Sequence, residues 1–204
     1  MPLSTVLGAQ SLVQPAVCTT ATRPASPYTG QAIYDTTVTQ VLVWNGTAWA
    51  TVGPPQTAIF NETQAGTTNG GTVVAATFTK RTLNTTIVNE ITGCSIASSV
   101  ITLPAGTYLV NASSPYYRID AAIIRLRNTT DSTNAIVGTS EYVLTSVFAQ
   151  VKCFLQGQFT ITASKNFEVQ YWAETNSGST GGLGVSNNAG IGQVYTSIQI
   201  QKVA

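Results

Sequence analysis

Apolar residues recur at every second position through much of the chain: Val147, Ala149, Val151, Cys153 and Leu155, then Phe159 and Ile161, then Phe167, Val169 and Tyr171, and finally Val194, Ile198 and Ile200. Successive side chains of a strand project to opposite faces, so each series predicts a strand with one face turned inward. Turn signals separate the runs: Asn69-Gly70-Gly71, Pro104-Ala105-Gly106, the stretch from Asn128 to Asn134, and the Gly- and Asn-rich stretch from Ser177 to Gly192. Short strands at such intervals predict an all-β sandwich or barrel.

The pattern breaks at Gly53-Pro54-Pro55. Two prolines fix φ and withhold backbone donors from a sheet, which predicts a linker between a first segment, 1–53, and a second, 56–204. Within the first segment the candidate strands are Ala32 to Thr36 and Val41 to Trp44, with Asn45-Gly46 as a turn before Thr47-Ala48-Trp49. Trp44 and Trp49 are expected to close a small cluster around this hairpin. The segment is below the size at which a domain is comfortably stable alone, so it is expected to pack against a partner. Leu3, Val6, Leu7, Leu12 and Val13 suit an arm that orders on that partner.

Composition sharpens the reading. Charged residues are 8% of the chain and hydrophobic ones 43%, against about 25% charged in ordinary soluble domains, so the polar surface is expected to be uncharged Thr, Ser, Asn and Gln. The formal charge is +1 with scattered basic residues, which predicts neither a nucleic-acid partner nor membrane insertion. Apolar runs such as Val41 to Trp44 and Ala121 to Ile124 are far shorter than a span requires. The opening Met1-Pro2-Leu3-Ser4-Thr5 has no basic stretch before an apolar one, so synthesis and assembly in the cytoplasm are expected.

Chemistry is sparse. There is no histidine, which removes the commonest general base and metal ligand. No catalytic residue, cofactor or metal is expected. Glu168 and Glu174 read as a solvated rim, and Asp131 as part of an Asn/Thr-rich turn, ahead of a calcium ligand. The glycines between Ser177 and Gly192 have no Lys-Ser/Thr at phosphate-loop spacing. Cys18, Cys94 and Cys153 read as free thiols, with one Cys94–Cys153 disulfide left open. Arg125 and Arg127 project from one side of a strand whose Ile124 and Leu126 point inward, and offer a contact with a protein partner. Tyr116, Tyr117 and Trp172 are candidates for receptor contact, with a core role preferred for Trp172.

Two resemblances bear on function. Arg23-Pro24, Gly30-Gln31, Ile33-Tyr34-Asp35 and Val43-Trp44-Asn45-Gly46-Thr47-Ala48-Trp49 resemble a small module of bacteriophage tail-fibre, head-fibre and capsid-decoration proteins. Lys80-Arg81-Thr82-Leu83-Asn84, Ile101 to Tyr108, Arg125 to Thr130, Val137 to Ser140 and Val194 to Ile200 resemble the jelly roll of the tumour-necrosis-factor and complement-head type. The resemblances imply an antiparallel jelly-roll sandwich preceded by a small β-hairpin module, assembled as a homotrimer. Phe148, Phe154 and Tyr195, opposite the inward series, are the expected trimer interface. Tyr34, Trp44 and Trp49 are the expected capsid attachment. The implied role is a non-enzymatic virion structural protein on the outer capsid surface, with the major capsid protein as partner. The alternative is a short tail or head fibre whose loops bind a host receptor or glycan.

So few charges leave few ion pairs to screen. The melting midpoint of the assembly is therefore expected to shift little between low and high salt in a thermal denaturation series.

Overall fold

The computed structural model describes residues 15–53, 55–176, 178 and 180–203. The apolar positions from Leu3 to Val13 lie outside the described residues. The chain divides into two compact units, one before Pro55 and one from Pro55 to Val203.

The first unit is a four-stranded sheet of β1 (Ala16–Cys18), β2 (Ala32–Asp35), β3 (Gln40–Trp44) and β4 (Trp49–Thr51), in that order. It is more than the expected hairpin, because β1 adds in parallel to β2. Among its described apolar side chains only Ile33 and Leu42 are fully buried, so polar pins supplement a very small core. Asp35 is fully buried, and its carboxylate accepts from Arg23 Nε at 2.6 Å, Thr20 Oγ1 at 3.0 Å and the Thr37 N–H at 2.8 Å. Asn45 Oδ1 accepts the N–H groups of Thr47 at 2.9 Å and Ala48 at 2.8 Å. Gly46 follows at φ 101°, a left-handed conformation that costs glycine no side-chain clash. Trp44 and Trp49 are direct cross-strand partners with ring centroids 5.6 Å apart, edge to face.

The second unit contains β5 (Gln56–Gln64), β6 (Thr79–Lys80), β7 (Thr85–Asn89), β8 (Ser95–Ala97), β9 (Val100–Leu103), β10 (Gly106–Tyr117), β11 (Asp120–Asn128), β12 (Thr133–Val143), β13 (Gln150–Ile161), β14 (Lys165–Ala173) and β15 (Gln193–Lys202). Sheet I runs β7-β5-β15-β10-β13; sheet II runs β8-β9-β14-β11-β12, with β6 also on β14. The antiparallel pairings are nested: β11 with β12, β10 with β13, β9 with β14, and β5 with β15. A long hairpin rolled on itself gives this nesting, which defines the jelly roll. The chain is therefore all-β, with two sheets packed face to face as a sandwich.

The inward positions follow the sequence periodicity. Cys153, Leu155, Phe167, Val169, Tyr171, Ile198 and Ile200 are all buried between the sheets. Two phases differ from expectation. Val147 and Ala149 precede β13 in a loop, and Val147 is exposed. At the start of β15 it is Tyr195 that is buried and Val194 that is exposed, because the register with β5 shifts between Val194 and Ser197 and the bulge re-aims the side chains. Gly138, on edge strand β12, lies against the Phe154 carbonyl and Ile124, where no Cβ fits; the neighbouring Thr139 hydroxyl accepts the Phe154 N–H at 2.9 Å. The edges of the two sheets meet here, which protects both from further strand addition. All three cysteines are free, so the Cys94–Cys153 bridge does not form. Cys153 is buried, with its Sγ 3.7 Å from the Ala122 carbonyl on the neighbouring sheet.

One ion pair sits inside the second unit. Arg81 is 1% exposed; its Nη2 donates to Glu62 Oε2 at 2.6 Å and to the Leu183 carbonyl at 3.0 Å, and its Nε donates to Thr196 Oγ1 at 2.6 Å. Its guanidinium carbon lies 5.9 Å from the ring centroids of both Tyr116 and Tyr171. Removing one partner of a buried pair strands the other, at a cost of about 3–5 kcal/mol. Arg81→Met is thus expected to lower unfolding free energy by about that amount in urea titrations, and Glu62→Gln in the same background to restore part of it.

Candidate functional site

The outer faces of the two sheets differ in chemistry. On sheet I, alternation leaves Thr57, Ile59, Asn61 and Thr63 of β5 turned away from buried Ala58, Phe60 and Glu62. Leu109 and Asn111 of β10, Phe154, Gln156 and Gln158 of β13, and Ser197, Gln199 and Gln201 of β15 share this outward parity. The register places Phe154 beside Ser113 and Asn111 beside both Gln156 and Gln199. Lys152 is the one charged residue at outward positions along these four strands. A shallow open depression of about 400 Å³ lies between Phe154, Gln156, Ser113, Asn111, Ser197 and Gln199. Phe154 is 53% exposed on its rim.

Sheet II carries its charges outward. Arg125 and Arg127 alternate with buried Ile124 and Leu126, as expected. Arg125 donates from Nε and Nη2 to Gln170 Oε1 at 3.0 and 2.7 Å, and its guanidinium carbon lies 3.4 Å from the Phe78 ring centroid. Arg127 Nη1 donates to Asn134 Oδ1 at 3.1 Å. Glu168 accepts from Gln170 Nε2 at 2.7 Å and lies 3.6 Å from Lys80 Nζ. Trp172 belongs to this outer face, half-exposed between buried Tyr171 and Ala173, which corrects the core role expected for it. Tyr116 is the ring that lies in the core.

The expected trimer residues do not form one patch. Phe154 stands on the outer face of sheet I. Tyr195 is buried, and its hydroxyl donates to the Thr68 carbonyl at 2.7 Å; it therefore has no free face to offer. Phe148 is 80% exposed in the loop between β12 and β13, with the Arg118 guanidinium 4.5 Å from its ring centroid. Arg118 Nε donates to the Thr145 carbonyl and so braces this loop. The loop lies at the end where Tyr117 pairs with Gln150 and Gln64 with Gln193, opposite the Gln56–Lys202 end. Ile59 and Leu109, which the sequence reading missed, are the apolar companions of Phe154; Leu109 lies in a strand whose inward series could have revealed its outward parity.

In the first unit, Trp44 and Trp49 face the side of Ile33 and Leu42, whereas Tyr34 shares the opposite side with Val17, Val41 and Val43. The three expected attachment residues thus divide between two faces. Asp131 is held by Lys165 Nζ at 2.7 Å and by Asn128 Nδ2 at 2.9 Å, in the Asx turn expected of it.

No family model matches the chain, and no curated protein matches it in sequence. Among solved structures, murine APRIL at pH 8.0 is similar at TM-score 0.49 and 9% identity, over 72% of this chain and 98% of that one. The globular domain of zebrafish complement 1qA is similar at TM-score 0.45 and 14% identity, over 75% of this chain and 98% of that one. Eiger TNF from S. frugiperda is similar at TM-score 0.45 and 11% identity, over 74% and 94%. The nested strand pairing, independently of these likenesses, defines the jelly roll.

Burial works to raise the Asp35 pKa, but Arg23, the Thr37 and Val38 N–H groups and the Thr20 hydroxyl outweigh it and hold the carboxyl below its ordinary value of 3.8. A lowered folded-state pKa contributes stability above the unfolded value that is lost as pH falls through the folded one. The first unit is expected to loosen below pH 3.8, seen as shifts of the Trp44 and Trp49 indole resonances. Asp35→Asn should already show the loosened spectrum at neutral pH.

Proposed function

We propose that this chain is a non-enzymatic structural protein of a bacteriophage virion, a homotrimer that decorates the outer head surface and is anchored there through its first unit. The observation that carries the reading is the segregation of charge between the two sheets. Burying an unpaired charge at an interface is expensive, whereas uncharged amides and hydroxyls can exchange water for hydrogen bonds to a facing copy. The outer face of sheet I, with Phe154, Ile59 and Leu109 among Asn, Gln, Ser and Thr, suits contact between identical copies. Three linked first units would then engage several capsid subunits at once, and modest single contacts would multiply.

The sequence of the N-terminal module supports the virion assignment by resemblance. The short Gly53-Pro54-Pro55 connection, with no shaft repeat or heptad, favours a decoration protein over a long fibre. The second reading is a short fibre or receptor-binding protein, favoured by Phe148, whose exposed ring crowns the loop end opposite Gln56. In that reading the Gly- and Asn-rich stretch from Ser177 to Gly192 and the Phe148 loop contact a host receptor or glycan.

Two measurements test this. Light scattering should give three times the 21.4 kDa chain mass, and Phe154→Glu should reduce it toward one; a monomer at micromolar concentration would remove the trimer. The full chain and a form lacking residues 1–53 should then be co-sedimented with undecorated capsids and with host cells. Capsid binding lost on truncation is the expected result. Cell binding that survives truncation would establish the receptor-binding reading instead.

A further inference from the structure

The outer face of sheet II holds an unbalanced set of charges. Around Gln170 stand three cations, Lys80, Arg125 and Arg127, and one carboxylate, Glu168. Glu168 is opposite Arg127 in the strand register, yet its oxygens go to Gln170 and toward Lys80. Arg125 and Arg127 rest on neutral amide oxygens, those of Gln170 and Asn134. Arg125 Nη1 and the Nε and Nη2 of Arg127 have no acceptor among the described residues. The next carboxylate along this line, Glu174, lies beyond Trp172.

Residues two apart on one strand have Cα atoms about 6.6 Å apart on the same face; Arg125 leans toward Gln170 of β14 and Arg127 toward Asn134 of β12, so a carboxylate seated over β11 would lie between the two guanidinium groups. The Arg125 pKa is lowered, first by burial and then by the positive charge of Arg127. An incoming carboxylate would relieve this repulsion and take the unused N–H groups in the fork geometry that guanidinium favours.

Flat rings border the same groups. Phe78 is 39% exposed and stacks on Arg125. Lys80 pairs with Gln170, so Phe78, two residues before Lys80, has the parity of the outer face on which Trp172 stands. Phe78 directly precedes β6, and Trp172 lies within β14, two residues from Gln170 and paired with Ile123.

We propose that this face binds an acidic saccharide, its carboxylate on Arg125 and Arg127 and its pyranose ring against Trp172, with Phe78 backing the Arg125 guanidinium. Charge selects a carboxylate ligand, and the Trp172 ring beside it selects a sugar over an acidic protein surface. The proposal stands whether or not the chain is a trimer or part of a virion.

The test is titration calorimetry on the full chain with sialyllactose and tetragalacturonate, against lactose and the methyl-esterified tetragalacturonate. Binding of at least one acidic saccharide, without its neutral counterpart, is expected, and this comparison needs no variant. Arg125→Gln with Arg127→Gln, and separately Trp172→Ala, should each weaken binding at least roughly tenfold, the scale of one lost charge-assisted contact, with the melting midpoint unchanged. A glutamate-rich peptide supplies the other class of partner. If it binds as tightly and Trp172→Ala leaves its affinity intact, the face is a docking site for acidic protein and the saccharide assignment fails. Failure of both acidic saccharides to bind at millimolar concentration, or equal binding of the neutral ones, also overturns it.

Discussion

A single buried guanidinium ties the two sheets of the larger unit together. The Arg81 N–H donates to the Val169 carbonyl of sheet II at 2.8 Å, while its side chain reaches Glu62 and Thr196 of sheet I. Tyr116 from sheet I and Tyr171 from sheet II flank it, with ring centroids 6.0 Å apart. Taking this charge out of water is costly unless its counter-ion and hydrogen-bond partners are already in place. Glu62 meets the charge and Thr196 and the Leu183 carbonyl take further donors, with Nη1 left without a partner among the described residues, so the pair keeps its bonds only when β5, β15, β14 and the loop at 183 hold their native positions. Apolar packing alone tolerates sliding between sheets; this contact does not.

That internal anchoring leaves the outer faces free to diverge. Sheet I has almost no charge outside and a scatter of amides and hydroxyls around Phe154. Sheet II gathers Lys80, Arg125, Arg127 and Glu168 on its outside. In a chain with 8% charged residues, such segregation means that one face can be covered without desolvating ions while the other stays wet. The same sandwich can thereby present one face to its own kind and the other to a charged partner.

Much of this was readable from period two. The series through Leu155, Tyr171 and Ile200 identified inward faces, because a sandwich core enforces strict alternation on every strand. It failed where the backbone departs from regular pleating: the bulge before Ser197 reversed the sense of Val194 and Tyr195, and the loop ahead of β13 put Val147 outside. Trp172 was misplaced for another reason, since its size suggested the core while its neighbours Tyr171 and Ala173 already held the inward phase. Arg81 figured only within Lys80-Arg81-Thr82-Leu83-Asn84, where nothing marked it as buried. A basic pair in a polar stretch looks solvated until the fold brings Glu62, nineteen residues away, to the side of Arg81.

The first unit shows what its sequence likeness does and does not carry. Arg23 and Asp35 form the ion pair at the end of β2, Asn45 and Gly46 build the turn, and Trp44 and Trp49 clasp across it. With only Ile33 and Leu42 fully buried among its described apolar side chains, the sheet depends on these pins. Arg23, Asp35, Trp44, Asn45, Gly46 and Trp49, which carry much of the module's resemblance to others, are therefore residues that fold it. The opposite side of the sheet carries Val17, which is exposed, and Tyr34, Val41 and Val43, which are half-buried. These positions take no part in the ion pair, the turn or the indole clasp, and strand alternation alone sets the face they form.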